Sequence, residues 1–323
     1  MPSRFLAALS VFVACWHFTS ESVVAEYVVM SIARKDKNLR VRFVGEIKVE
    51  NGYEHFRGPF GVSVDSEGRI YVADDMAHRI VVFDKNRKLL RTIGKKGTRP
   101  GDFAWVDAVA VDKDGNLYVA DTGNDRIQIL DKAGNVIRDF GKRGDKPGLF
   151  KNPRSIALDK NDAIYVADWG NHRIQVFDNN GNFLRSFGKL GKGEGEFDSP
   201  ISVFIDKDEM IYACDFKNHR IQVFDSKGKF VRVFGRSGMG DGELQNPSGL
   251  TGDQFGNIYV ADYNNHRIQI FSFNGEYVGG FGSFGSQPGA FNNPTSLAIN
   301  AQGDLYVVDK GNRRVQIFRA SMK

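Results

Sequence analysis

Cysteine is scarce in this sequence. Its only two cysteines are Cys15 and Cys214, and Cys15 lies inside an apolar N-terminal run from Phe5 to Trp16. If that run is removed with a leader, Cys214 has no partner and no internal disulfide can form. This excludes a secreted scaffold held together by disulfides. Cys214 itself falls in a predicted strand, where we expect a buried and unreactive thiol.

Long hydrophobic runs are also absent. Phe5–Trp16 has only 12 residues, too few to span a bilayer, so we expect no transmembrane segment. With Arg4 before it and Ala25 after it, this run is typical of a secretory signal, the alternatives being a membrane anchor or a leader without function. We predict a signal peptide at 1–25, a short leader at 26–40, one domain at 41–319 and a tail at 320–323. The protein is secreted if the signal is genuine and cytoplasmic otherwise.

Neither sign of charge dominates the composition. The 44 Lys and Arg exceed the 39 Asp and Glu by only five, which favours anionic partners without requiring them. The 36 glycines against 9 prolines are typical of an ordered chain with many tight turns. Beyond the N-terminal run, no stretch has sustained helical periodicity. The composition therefore points to an ordered, strand-rich chain.

A repeat of 47 residues fills the rest of the sequence. Each unit contains four short β-like runs separated by turns such as Asn-Gly and Asp-Gly. One aspartate after the second run marks the period: Asp74, Asp121, Asp168, Asp215, Asp262 and Asp309. Four strands in a unit of about 45 residues are typical of a β-propeller blade. We therefore predict an all-β, six-bladed propeller of four-stranded antiparallel blades.

The sixth unit stops after its third run. The missing outer strand has a counterpart at the other end of the domain, where "VRFVG" at 41–45 has the pattern of "LRTIG" at 90–94. We expect residues 41–44 to pair beside 315–318. That pairing closes the ring and removes two exposed sheet edges.

The recurring core "NHRIQVF", at 171–177 and 218–224, resembles the NHL repeat. Several blades are most similar to those of animal tripartite-motif NHL proteins, and the resemblance implies a monomeric propeller that binds RNA or protein. The sequence has no RING, B-box or coiled coil, so ubiquitin-ligase activity is not implied.

The histidines of this core invite comparison with a metal site. Propeller geometry places His78, His172, His219 and His266 at the start of third strands, more than about 15 Å from the axis. They are too far apart to share a zinc ion, which needs nitrogens at about 2.0–2.1 Å. We expect them to make structural hydrogen bonds, and Asp168 and Arg173 to form a structural pair. We predict no metal and no cofactor.

One face of the propeller, here called the top face, carries the connections between blades and the loops between second and third strands. We expect Trp169, Phe216 and Tyr263 there, about 12 Å apart from strand spacing. They would form a platform for single-stranded RNA or a peptide, the alternative being that each packs on its own blade. Cationic side chains expected on the same face are Arg99, Lys146, Lys151, Arg154, Lys217 and Lys310.

Two other functions remain open at this point. A secreted metal-dependent enzyme of the amidoglycolate-lyase kind would need His and carboxylates on the inner strands. These strands contain no His, and only Asp107 and Arg154 are charged near their top ends. An extracellular protein-interaction module is the other alternative. We predict a non-enzymatic binding propeller whose ligand is RNA, a peptide or a protein.

Overall fold

A computed structural model of the protein describes residues 39–48 and 56–322. The predicted signal peptide and residues 26–38 of the leader lie outside these ranges. Within them, 24 strands form six four-stranded antiparallel sheets, and the first strands of neighbouring sheets contact one another around an axis. The predicted all-β, six-bladed propeller is confirmed. In the same ranges no helix is long and apolar enough to cross a membrane.

Each blade runs from an inner strand to an outer one. Blade 1 has β2 (Pro59–Val64), β3 (Ile70–Asp74), β4 (Arg79–Phe83) and β5 (Leu89–Ile93); blade 2 has β6 (Val106–Val111), β7 (Leu117–Asp121), β8 (Arg126–Leu130) and β9 (Val136–Phe140). Blade 3 has β10 (Pro153–Leu158), β11 (Ile164–Asp168), β12 (Arg173–Phe177) and β13 (Phe183–Phe187); blade 4 has β14 (Pro200–Ile205), β15 (Ile211–Asp215), β16 (Arg220–Phe224) and β17 (Phe230–Phe234). Blade 5 has β18 (Pro247–Gly252), β19 (Asn257–Asp262), β20 (Arg267–Ser272) and β21 (Tyr277–Phe281); blade 6 has β22 (Pro294–Ile299), β23 (Asp304–Asp309), β24 (Arg314–Met322) and β1 (Leu39–Ile47).

The N-terminal strand closes the ring, as the sequence predicts. β1 pairs antiparallel with β24, placing Val41 opposite Ala320 and Phe43 opposite Phe318. At the axis, the Thr295 hydroxyl donates to the Phe60 carbonyl at 2.8 Å and joins blade 6 to blade 1. The pairing extends to Met322, so the predicted domain end at 319 is too early. Residues 320–322 belong to β24 because β1 supplies backbone partners for them.

The core lies between the blades. Six clusters of buried apolar side chains fill the spaces between neighbouring blades, and the cluster between blades 4 and 5 also includes Phe60 of blade 1. Fully buried phenylalanines recur at the repeat period, among them Phe103, Phe150, Phe197 and Phe291. Outer strands add a polar clamp, because Arg138 and Arg185 donate to carbonyls of Asn180 and Ser226 in the next blade. Each blade is therefore stabilised mainly by its neighbours.

The repeated aspartate holds the top-face loops of its blade. Asp168 is fully buried; its Oδ1 accepts from the Lys151 backbone N–H at 2.8 Å, and its Oδ2 accepts from Arg173 Nε at 2.9 Å. Arg173 Nη2 in turn donates to the Leu149 carbonyl at 2.8 Å. The predicted structural Asp–Arg pair is confirmed, and it fixes the preceding inter-blade connection as well.

The histidines join one blade to the next. His172 has φ of 56°, in the left-handed region, and its Nδ1 accepts the backbone N–H of Ser199 at 3.1 Å. His78, His219 and His266 accept from Trp105, Asn246 and Asn293 at 3.0–3.1 Å. These bonds confirm the structural role predicted for the histidines.

Candidate binding face

The top face forms where two kinds of loop meet. A one-turn 3₁₀ helix joins the second and third strands of every blade, and it is hydrogen-bonded to the inter-blade connection before it. In blade 3, for example, the Gly170 N–H donates to the Lys151 carbonyl at 2.8 Å. The predicted aromatics Trp169, Phe216 and Tyr263 are the first residues of three such helices. The sequence therefore places them on the correct face.

Their arrangement differs from the predicted platform. The rings of Phe216 and Tyr263 meet edge to face with centroids 6.2 Å apart, so the expected spacing of about 12 Å is wrong. Trp169 and Phe216 pack against an apolar cluster that includes the inner-strand residues Phe60 and Ile201. The spacing fails because it assumed side chains standing upright on each blade, whereas these are half-buried and converge on the inner strands.

Two of the predicted cations lie at the mouth of the axis. Arg154 Nη1 is 3.1 Å from Asp107 Oδ2, and its guanidinium lies 5.0 Å from the centroid of the Trp169 ring. Lys310 Nζ lies 4.6 Å from the centroid of the Phe60 ring. Burial raises the pKa of Asp107 to about 7, against the opposing charge of Arg154. Arg154, Lys310 and Trp169 thus pack at the mouth of the axis and leave little of their surface for a ligand.

The exposed positive charge is concentrated on two connections. Residues 94–105 and 141–152 contain seven Lys and Arg against two acidic residues, and Arg99, Lys146 and Lys151 are exposed there. Farther round the ring, Lys217 Nζ is 3.7 Å from Asp198. The next three connections, 188–199, 235–246 and 282–293, contain three cations against five acidic residues. The basic region of the top face is therefore narrower than the set of predicted cations, which extends to Lys217 and Lys310.

Exposed apolar side chains on the top face are missing from the sequence prediction. They are Met76, Trp105, Leu190, Met239 and Phe284, with 60, 57, 61, 78 and 67% of their surface exposed. An alignment of the connections would find them. Leu190 and Phe284 occupy the position of Lys96, Arg143 and Ser237, and Trp105 that of Asn152, Ser199, Asn246 and Asn293. The sequence prediction compared the residues that follow the repeated aspartate for aromatic rings, and the connections for positive charge alone.

Potential metal ligands lie apart from one another in the part of the chain that the structure describes. In residues 39–48 and 56–322, no three His, Cys, Asp or Glu are grouped to hold a metal ion. Cys214 is fully buried, as expected, and burial raises the pKa of its thiol well above the usual value.

Family comparisons agree with this geometry. A family described as a 6-bladed beta-propeller matches residues 62–127 and 149–222, and the NHL repeat matches 244–271 and 291–318. The chain is a six-bladed β-propeller that carries NHL repeats. No curated relative matches the sequence.

Solved structures with the same fold have varied functions. A catalytically inactive virginiamycin B lyase from Staphylococcus aureus, solved with quinupristin, is 17% identical to this NHL propeller, with a TM-score of 0.60 and 88% of both chains covered. A gluconolactonase from Xanthomonas campestris is 11% identical, with a TM-score of 0.64 and 93% of this chain and 99% of that one covered. An auxiliary nutrient binding protein from Bacteroides thetaiotaomicron is 14% identical, with a TM-score of 0.64 and 89% and 77% covered. At such identities the likeness extends to the fold alone. These three proteins are bacterial, and the resemblance to animal tripartite-motif proteins is not confirmed.

Proposed function

We propose that this NHL propeller is a binding protein whose top face holds an acidic polypeptide with apolar side chains. The observation that carries the proposal is the set of five exposed apolar side chains on the top face, Met76, Trp105, Leu190, Met239 and Phe284. Large apolar side chains exposed on the same face of a protein are candidates for contact with a partner protein.

Charge determines what kind of polypeptide fits. The connections 94–105 and 141–152 supply the cations, and three of the exposed apolar residues, Leu190, Met239 and Phe284, lie on the connections that follow. A partner crossing the face therefore meets a basic half and an apolar half. An acidic chain with Leu, Phe or Tyr side chains fits when its carboxylates meet the basic half and its apolar side chains meet the other.

Single-stranded RNA is the second candidate, and the seven cations of the two basic connections favour it. RNA needs aromatic rings with open faces on which bases can stack. Trp169, Phe216 and Tyr263 are half-buried, and of the five exposed apolar residues of the top face only Trp105 and Phe284 have an aromatic ring. The top face therefore matches a polypeptide better than RNA.

Fluorescence anisotropy of the full chain at low salt compares three labelled probes. They are a random copolymer of glutamate and tyrosine, polyglutamate, and a uridine 20-mer. We expect the copolymer to bind most tightly, since it alone matches both charge and apolar surface, and its binding to weaken as salt is added. Tighter binding of the RNA would favour the second candidate, and binding of none of the three would refute the proposal.

A further inference from the structure

Trp105 has a backbone conformation that disfavours its own side chain. Its φ is +52°, and the residues at the same repeat position in the next four blades have φ between 54° and 64°. Those residues are Asn152, Ser199, Asn246 and Asn293. Asparagine tolerates the left-handed region well, whereas a bulky residue there is a genuine outlier. Blade 2 thus retains tryptophan where local conformation favours asparagine.

The indole gains little burial in return. More than half of Trp105 is exposed, at 57%. Its ring lies against the 3₁₀ helix of its own blade, and a Cβ added to Gly123 would be 2.9 Å from the ring atom Cε3. The ring is therefore supported on one side by a glycine and is open to solvent elsewhere.

Both neighbouring blades fix the backbone of Trp105. Its N–H donates to His78 Nδ1 of blade 1 at 3.0 Å, and its carbonyl accepts the N–H of Thr122 of blade 2 at 3.1 Å. Burial, together with the charges of Lys96 and Arg57, lowers the pKa of His78, which keeps Nδ1 free of a proton and able to accept. The backbone that carries the exposed ring is thus held in one conformation before any partner arrives.

Strained backbone conformations are concentrated at functional sites, and tryptophan is enriched among the residues that dominate protein interfaces. We infer that Trp105 is the anchor of the top face, against which an apolar side chain of the acidic partner packs. Lys96 and Arg57 are exposed, and their charges act on His78, which accepts the Trp105 N–H; they are the cations that would attract a carboxylate of the partner next to that side chain. This inference rests on the proposed function and adds the residue that dominates it.

The test replaces Trp105 with the asparagine that three other blades carry. Trp105→Asn should weaken binding of the glutamate–tyrosine copolymer roughly 10- to 30-fold, as expected for a hot-spot residue. Its melting temperature should stay the same or rise, because asparagine relieves the left-handed strain. The control is Phe284→Ser, which removes another exposed ring of the same face and should weaken binding less than about threefold. Trp105→Phe, which keeps a ring, should retain most of the binding.

Three outcomes would overturn the inference, and a fourth would refute the proposed function on which it rests. If Trp105→Asn binds like Phe284→Ser, Trp105 is not the anchor, although the proposed function stands. If Trp105→Phe loses as much binding as Trp105→Asn, the aromatic ring is not what the partner contacts. A large fall in melting temperature for Trp105→Asn would show that the indole serves the fold. Failure of the unmodified protein to bind the copolymer would instead refute the proposed function itself.

Discussion

Replacing Asp168 with alanine should destabilise the propeller strongly. The buried carboxylate accepts four hydrogen bonds: from the Lys151 N–H and Asn171 Nδ2 at 2.8 Å, Arg173 Nε at 2.9 Å and Gln175 Nε2 at 3.1 Å. Alanine leaves the Lys151 N–H without this acceptor and removes the carboxylate paired with Arg173. Both losses occur in one small volume at the top of blade 3.

The loss of stability in Asp168→Ala depends on the hydrogen bonds that Arg173 keeps. Breaking a buried ion pair costs about 3–5 kcal/mol, but Arg173 keeps its bonds to the carbonyls of Lys146 and Leu149. Burial also raises the pKa of Asp168, so desolvation offsets part of what pairing contributes. We therefore expect a loss near the lower bound, about 3 kcal/mol, or roughly 6–12 °C in melting temperature.

Asp178 is the matched control, ten residues along the same motif. Its carboxylate caps an exposed turn by accepting the N–H groups of Asn180 and Asn182 at 2.9 Å. Asp178→Ala should lower the melting temperature much less than Asp168→Ala, because the turn that it caps is exposed to water. Thermal unfolding followed by circular dichroism measures both variants. If Asp168→Ala melts no lower than Asp178→Ala, the repeated aspartate is not the main support of the top-face loops.

Four further variants test other parts of the account. Deleting residues 1–45 should cause aggregation, because it exposes the edge of β24. Deleting residues 1–38 should leave the melting temperature unchanged. If the two deletion variants show the same light scattering and the same melting temperature, β1 does not close the ring. His172→Ala should cost about 1 kcal/mol, the value of one hydrogen bond, and a loss well above 2 kcal/mol in urea unfolding would show that more than the bond to Ser199 is lost. Because the pKa of Asp107 is raised to about 7, the folded state keeps this proton after the unfolded chain has released it, and stability is lost as the pH rises from about 4 to 7. The melting temperature of Asp107→Asn should therefore rise relative to that of the unmodified protein as the pH increases from about 4.5 to 7.5. If the difference between the two melting temperatures stays constant over this range, Asp107 does not titrate in it.

The fold could be predicted from the sequence because the repeat encodes it six times. The constant spacing of the aspartates, the turn residues and the stray strand at 41–45 were sufficient for blade number, strand order and closure. The extent of β24 was not predicted, because residues 320–322 have no strand pattern of their own. They are ordered by pairing with β1, a contact between residues about 280 positions apart in the sequence.

The binding face was harder to predict. Repeat position placed Trp169, Phe216 and Tyr263 on the top face, but exposure depends on where a 3₁₀ helix points its side chains. Sequence position alone carries no such information. The pairing of Arg154 with Asp107 is likewise a tertiary contact that sequence position does not reveal. Trp105 was detectable by comparing connections, although its left-handed φ is visible only in the structure.

A pair of multiple variants tests the central claim most directly. The top-face variant changes Trp105, Leu190, Met239 and Phe284 to Asn, Ser, Thr and Ser, the residues that other blades carry at these positions. The control changes Phe255 and Phe273, which are 60 and 52% exposed on the opposite face, to the Asp and Lys of other blades. The account predicts that the top-face variant stays folded and loses detectable binding of the glutamate–tyrosine copolymer, while the control binds within about twofold of the unmodified protein. Retained binding by the top-face variant, or its loss in the control, would contradict the account.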